Sequence, residues 1–256
     1  MRRFRRFPVP FRRPDGPRKG PPVTAPLLVI VPTRGRPQNA ARLVQAFEDT
    51  DSLNAELVFV ADHDDPELPA YHEAAPRLLI HRDGTGQGMT AALNWAAGLY
   101  DGIYDHLGFM GDDHLPRTVG WDAHVLGALD REEPSVVYGN DLLQGGALPT
   151  AAFLPSRLVR ALGFMAPPVL RHLYVDNFWL ELGQALGGLR YLPDVVIEHI
   201  HPAAGKVAMD ARYEAVNSSE ADALDRRAWL EFRHGYGFAA ALRRVRDEYG
   251  AREAGL

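Results

Sequence analysis

The chain contains no cysteine, so a disulfide framework and thiolate metal sites are both closed to it, and any metal must sit on carboxylate or imidazole. Long apolar runs are missing as well. No stretch approaches the roughly 18 to 20 uninterrupted apolar residues that cross a bilayer. No apolar segment follows the arginines at the start, so neither a secretory nor a twin-arginine signal is supported. The expectation is a soluble protein kept in the cytoplasm. Strong compositional bias is also absent: 256 residues at 46 % hydrophobic and 24 % charged have the balance of a globular chain, long enough for one large α/β domain or two small ones.

Charge is present but unevenly placed. Residues 1–25 carry eight Arg or Lys and one acid, a net of +7, which leaves −12 on the remaining residues. This leader is rich in proline and interleaves Phe4, Phe7 and Phe11 with arginine, a composition that predicts a disordered basic tail able to touch phosphate or an acidic surface. An acidic body argues against nucleic acid lying across the rest of the chain.

After the tail, strand-like and helix-like segments alternate. "LLVIVP" (27–32), "AELVFVAD" (55–62), "RLLIH" (77–81) and "HLGFM" (106–110) are short apolar runs of buried-strand type. Between them, "PQNAARLVQAFED" (37–49), "PELPAYHEAA" (66–75) and "GMTAALNWAAGLY" (88–100) have helical spacing. The pattern predicts a mostly parallel, Rossmann-like α/β sheet with helices on both faces, whose ligands gather beyond the carboxyl ends of the strands. The polar loops fall there: "TRGRP" (33–37), "DHDDP" (62–66), "RDGTGQG" (82–88) and "GDDHLP" (111–116) each follow a strand. Glycines 84, 86 and 88 permit close backbone approach to a ligand, yet their spacing is neither a P-loop nor the G-x-G-x-x-G dinucleotide fingerprint. A dinucleotide-dependent dehydrogenase is therefore disfavoured.

In the second half, "PSVVYGND" (134–141) reads as a strand, "LPTAAFLPSRLVRALGF" (148–164) as strand then helix, and "HLYVDNFWLELGQALGG" (172–188) as a helix with Asp176 and Asn177 in its first turn beside Trp179. In "YLPDVVIEHIHPAAGK" (191–206) strand alternation puts His199 and His201 on one face. Residues 218–249 are helical, with an apolar stripe at Leu224, Trp229 and Phe232 that suits packing or a dimer contact. The expected organisation is a tail (1–25), a catalytic domain (26–215) with a nucleotide-binding half (26–115) and an acceptor half (116–215), and a C-terminal helical segment (216–256).

Taken in order, "VPTRGRP", "ADHDDP", "GQGMTAALNWAAG" and the strand-end "GDDH" resemble the nucleotide-sugar glycosyltransferases of the GT-A fold, most of all the family 2 group. The resemblance covers roughly residues 27–201. It implies transfer of a sugar from a nucleotide-diphospho donor, most commonly a UDP-sugar, to an acceptor hydroxyl on a glycan, protein or DNA, with Mn²⁺ or Mg²⁺ at a D-x-D-type motif and, by preference, inversion at the anomeric carbon. Such a donor leaves as a charged nucleotide, which is why the family sets a divalent cation between carboxylate and diphosphate. Here Gly111 stands at the motif's first position, leaving Asp112 with Asp113, or Asp112 with His114; Asp113 is the favoured metal ligand, with Asp112 toward ribose or diphosphate.

By the same resemblance His199 or His201 completes the metal shell and Lys206 pairs with the diphosphate. Asp62, or neighbouring Asp64, accepts from the base, Thr33 and Arg34 line the base pocket, and Arg82 and Asn94 reach ribose or phosphates. Asp176 takes the proton of the acceptor hydroxyl, with Asn177 and Trp179 against the acceptor. Each carboxylate also suits a plain turn or helix cap. A catalytically silent sugar-nucleotide-binding module, a retaining enzyme and a nucleic-acid-associated protein guided by the tail stay open on sequence alone.

Overall fold

The computed structural model describes residues 26–82, 88–130, 132–202, 205–209 and 211–250. The basic tail, glycines 84 and 86, and part of the "PAAGK" segment lie outside the described residues.

Strand β1 (Leu27–Thr33) explains the layout. Leu27 to Val31 are all fully buried, and alternate residues serve two different cores. Leu28 and Ile30 pack with Leu93 and Ala96 of helix α3 (Met89–Leu99), while Leu27, Val29 and Val31 pack with Leu43 and Phe47 of helix α1 (Pro37–Asp49). A strand buried on both faces must be apolar throughout, which is why it reads as a continuous run. Strands β2 (Ala55–Asp62), β3 (Leu78–His81) and β4 (His106–Phe109) join it in parallel, with helix α2 (Leu68–Ala74) between β2 and β3. The four strands place their carboxyl ends on one edge.

The rest of the sheet is mixed. Strand β5 (His114–Pro116) follows β4 almost at once, then come helix α4 (Trp121–Ala128), β6 (Val136–Asn140), a 3-10 turn (Gly145–Ala147), β7 (Ala152–Pro155), α5 (Ser156–Leu162), α6 (Val175–Leu186) and β8 (Leu189–His199). The strand order is β3-β2-β1-β4-β7-β6-β8-β5. β7 runs antiparallel to β4 and β6, β8 is parallel to β6, and β5 is antiparallel to β8.

Helices α7 (Ala211–Val216), α8 (Ser219–His234) and α9 (Tyr236–Gly250) complete the described chain. Ser218 caps α8 by accepting from the Ala221 amide, and its acidic first turn and basic last turn suit the helix dipole. Trp229 and Phe232 pack with Phe164 and Phe178 inside the main core, and only Leu224 of the anticipated stripe stays on the surface. Among the described residues no helix is long and apolar enough to cross a membrane.

Candidate active site

The β4–β5 turn gathers the most chemistry. A Cβ on Gly111 would stand 2.6 Å from Asp113 Oδ1 and 2.9 Å from His114 Nδ1, so the first position of the D-x-D frame admits no side chain without displacing the next two. The Gly111 amide donates to His114 Nδ1 (3.1 Å) and the His114 amide to the Gly111 carbonyl (3.1 Å). That tight turn feeds β5, whose register sets His114 opposite His199 on β8. Their rings stack at 4.2 Å.

The two adjacent carboxylates have opposite surroundings. Asp113 lies 3.3 Å from His114 Nδ1 and 3.5 Å from His199 Nε2, and the Tyr213 hydroxyl of α7 donates to its Oδ2 (2.7 Å). Burial alone would raise its pKa, but these partners hold the carboxyl well below the usual range. Asp112 is pushed up to about 6 by burial and then by the charge of Asp113, although Thr33 Oγ1 (2.6 Å) and Asn39 Nδ2 (3.2 Å) donate to it and Arg36 stands 3.7 Å away. His199 is lowered by burial and by neighbouring His114, which favours the neutral imidazole a metal requires.

Asp113, His114 and His199 each offer a ligand atom within 4.8 Å of the others. The buried Nε2 of His114 and Nδ1 of His199 have no hydrogen-bond partner. One carboxylate, two imidazoles and unspent ring nitrogens fit a divalent cation. His201, expected beside His199, lies past the end of β8, outside this trio; its ring sits 5.0 Å from His199 and 5.1 Å from Tyr213. His114, the alternative within the D-x-H frame, takes that place.

A cavity of about 400 Å³ opens beside the trio. One side is formed by strand ends and their loops, with Pro32, Thr33, Arg34, Val60 and Asp62. Arg34 is held by Asp64 (2.6 and 3.3 Å) and Asp62 (3.3 Å). Arg36 stacks on the Tyr213 ring at 3.8 Å. Gly88, at φ +83, also lines the cavity, and a Cβ there would meet the Arg171 carbonyl at 2.5 Å; only glycine brings the two backbones so close.

The opposite side comes from residues 143–150, 172–176 and α7. Asp176 stands in the first turn of α6, accepts from the Asn177 amide (2.9 Å), and is raised above the ordinary carboxylate value mainly by burial. Just ahead of it Tyr174 takes φ +66, rare for a side chain of that size. Helix α8 holds that conformation: Asp222 accepts from the Tyr174 hydroxyl (2.7 Å), and buried Asp225 accepts from the amides of Arg171, His172 and Leu173 (2.9, 2.8 and 2.8 Å). Trp179 forms the floor, fully buried against Phe109, its Nε1 donating to Met165 O (2.9 Å).

Four expected contacts fall elsewhere. Asn94 spends its amide on the turn ahead of α6, accepting from Met165 and Ala166 amides (2.8 and 3.0 Å) and donating to Ala166 O (2.8 Å). Lys206 pairs with Glu198 at 2.8 Å in a separate groove. Arg82 is exposed, and neither it nor Asn177 lines the cavity. Conversely, Tyr213, Asp141 and Asp225 had no motif to mark them, and Arg36, though inside "VPTRGRP", was given no role. Their roles come from contacts between residues far apart in sequence or from a loop's own amides.

Several solved sugar transferases share this architecture, and the chain has their GT-A-like fold. A mannosyltransferase from Pyrobaculum calidifontis, in complex with GDP-Man and Mn²⁺, superposes with a TM-score of 0.55 at 16 % identity over 89 % of this chain and 78 % of its own. Glucosyl-3-phosphoglycerate synthase from Mycobacterium tuberculosis, with Mn²⁺, UDP and phosphoglyceric acid, gives 0.53 at 15 % over 80 % and 78 %. TarS of S. aureus gives 0.53 at 14 % over 81 % of this chain but 43 % of its own length. No curated protein matches in sequence. Residues 28–146 match the glycosyl transferase family 2 profile, and the protein is a glycosyltransferase by class.

Proposed function

We propose that the protein transfers a sugar from a nucleotide-diphospho sugar, with a UDP-sugar the favoured donor, to an acceptor hydroxyl with inversion, and that it requires a divalent cation. The observation that carries the reading is one cavity bordered on one side by the Asp113, His114, His199 trio and on the other by Asp176. Its lining includes four aspartates, Asp62, Asp112, Asp113 and Asp176, against two guanidiniums already engaged by carboxylates, Arg34 and Arg36. An anionic diphosphate is repelled by such a lining unless a cation accompanies it.

Asp113, His114 and His199 would hold that cation, and two imidazoles favour Mn²⁺ over Mg²⁺. When bound it supplies charge neutralisation for the departing diphosphate. The protein's own groups do the rest. Thr33 and Asn39 orient Asp112 toward the donor, while Pro32, Arg34, Val60 and Asp62 form a slot for base and ribose. Asp176 accepts the acceptor's hydroxyl proton on a carboxylate oxygen as the acceptor's own hydroxyl oxygen bonds the anomeric carbon. The bond from that carbon to the diphosphate breaks, and the nucleotide leaves with its electrons. Burial of Asp176 raises its affinity for the proton, which suits a general base.

The test is incubation with UDP- and GDP-sugars and Mn²⁺, following nucleotide release and then the anomeric proton of the product by NMR. Release that needs metal and an inverted anomer are expected. An unchanged anomer would remove Asp176 from the role of base, and no release from any donor would remove the transfer reading.

A further inference from the structure

The acceptor side of the cavity contains almost nothing that binds an anion. Among its described lining residues there is no lysine or arginine. The backbone offers none either. Three successive amides that would form an anion-binding nest, those of Leu143, Gln144 and Gly145, already donate to Asp141 Oδ1 (3.0, 2.7 and 2.8 Å). Those of Arg171, His172 and Leu173 donate to Asp225. The amino end of α6, a further anion site in principle, carries the carboxylate of Asp176, whose Oδ1 takes the Asn177 amide. Six amides and one helix end are thus satisfied by aspartates of the chain itself.

What this side presents instead is apolar. Leu143, Leu148, Leu173 and Val175 line it, with Val216 of α7 at the same cavity. Exposed Leu142 extends the surface outward, held at φ +57 while its amide donates to Asn140. Of the three non-glycine residues with positive φ among the described residues, Leu142 and Tyr174 both sit on these two loops. Strain of that kind persists where surrounding structure imposes it. Of the polar side chains interspersed, Gln144 and Thr150 carry no charge, and the Thr150 hydroxyl already donates to Asp141 Oδ2 (2.9 Å).

We infer that the acceptor is an uncharged hydroxyl compound carrying an apolar face, such as a glycoside with an alkyl or aryl aglycone, rather than a phosphorylated sugar, a hydroxy acid or a nucleic acid. The inference rests on the transferase reading and specifies its second substrate. Anionic acceptors would enter a cavity whose nearest fixed charge is Asp176, on a body of net charge −12 outside the tail. Among the described residues lining that wall no lysine or arginine compensates.

Three probes of matched core separate the alternatives: methyl glucoside, n-hexyl glucoside below its micellar concentration, and glucose 6-phosphate. Binding of each is measured by ligand-observed NMR on the full chain with UDP and Mg²⁺, in the wild type and in Leu148→Lys. Leu148 is only partly buried, so the variant keeps its core intact. The wild type is expected to bind hexyl glucoside about tenfold more tightly than methyl glucoside, in proportion to the apolar area covered, and to gain nothing from the phosphate. Leu148→Lys should erase the hexyl preference and favour glucose 6-phosphate. Tighter wild-type binding of glucose 6-phosphate than of methyl glucoside, or no hexyl advantage while UDP still binds, would overturn the inference. Failure of both UDP and GDP to bind would instead overturn the transferase reading beneath it.

Discussion

Asp112 and Asp113 border the cavity, whereas Asp141 and, from α8, Asp225 are spent on the amides of the loops that build its opposite wall. At the strand-end wall the carboxylates face the cavity, where the proposed cation would sit, and the protein accepts an unfavourable pair of adjacent acids, relieved by raising Asp112 and surrounding Asp113 with donors. On the opposite side Asp141 and Asp225 are satisfied by the chain's own amides, and apart from Asp176 what faces the cavity is neutral. The same residue type thus creates a binding charge at one wall and abolishes one at the other. What decides between the two uses is whether backbone N–H groups converge on the carboxylate.

The largest effect should come from Asp176, the one charge on the neutral wall. Asp176→Asn is expected to lower kcat by about a thousandfold, within the range general base catalysis provides, while donor affinity stays within twofold. Its pH profile sharpens the point. Because burial raises the carboxyl above its ordinary value, wild-type kcat should rise with pH as that group loses its proton, and this limb should vanish in Asp176→Asn. Retention of the limb would mean another group titrates.

Asp225→Ala comes next, and it tests whether an inward carboxylate builds the wall. Three amides would lose a charged acceptor at a buried site, costing about 3 kcal/mol of stability; denaturant unfolding reads this directly. In protein that remains folded, acceptor KM should rise and UDP affinity should not. An equal loss of both would show that α8 supports the whole cavity. The mildest change is Tyr213→Phe, which removes one hydrogen bond from Asp113 and leaves the ring under Arg36. Mn²⁺ affinity should fall roughly tenfold, as for other groups that orient a metal's carboxylate. An unchanged affinity would make Tyr213 a cover for the site alone.

The four-strand half was legible because it is written in local pattern. β1 and β2 are continuous apolar runs, and the polar residues at their ends had to share one edge once the strands were parallel. The D-D-H turn was visible for the same reason. The histidine assignment depended on where a strand stops: alternation grouped His199 with His201, but β8 ends at His199, so the rule no longer holds two residues on. β5 is three residues long, too short for any periodicity, yet its pairing with β8 brings His114 against His199. Asn94 lies on a helix face that sequence could place but whose neighbour, the 165–166 turn, it could not. Asp225, Asp141 and Tyr213 act through a fold that brings α7, α8 and a surface loop to the cavity, and no spacing along the chain encodes that meeting.

The central claim is that the carboxylate and imidazole trio makes nucleotide binding depend on a metal. Calorimetric titration of UDP and GDP, with and without Mn²⁺, into the wild type and Asp113→Asn tests it most directly. The account predicts micromolar-range binding of one nucleotide that weakens by about a hundredfold both without Mn²⁺ and in the variant. Equal affinity with and without the metal, unaffected by Asp113→Asn, would contradict it.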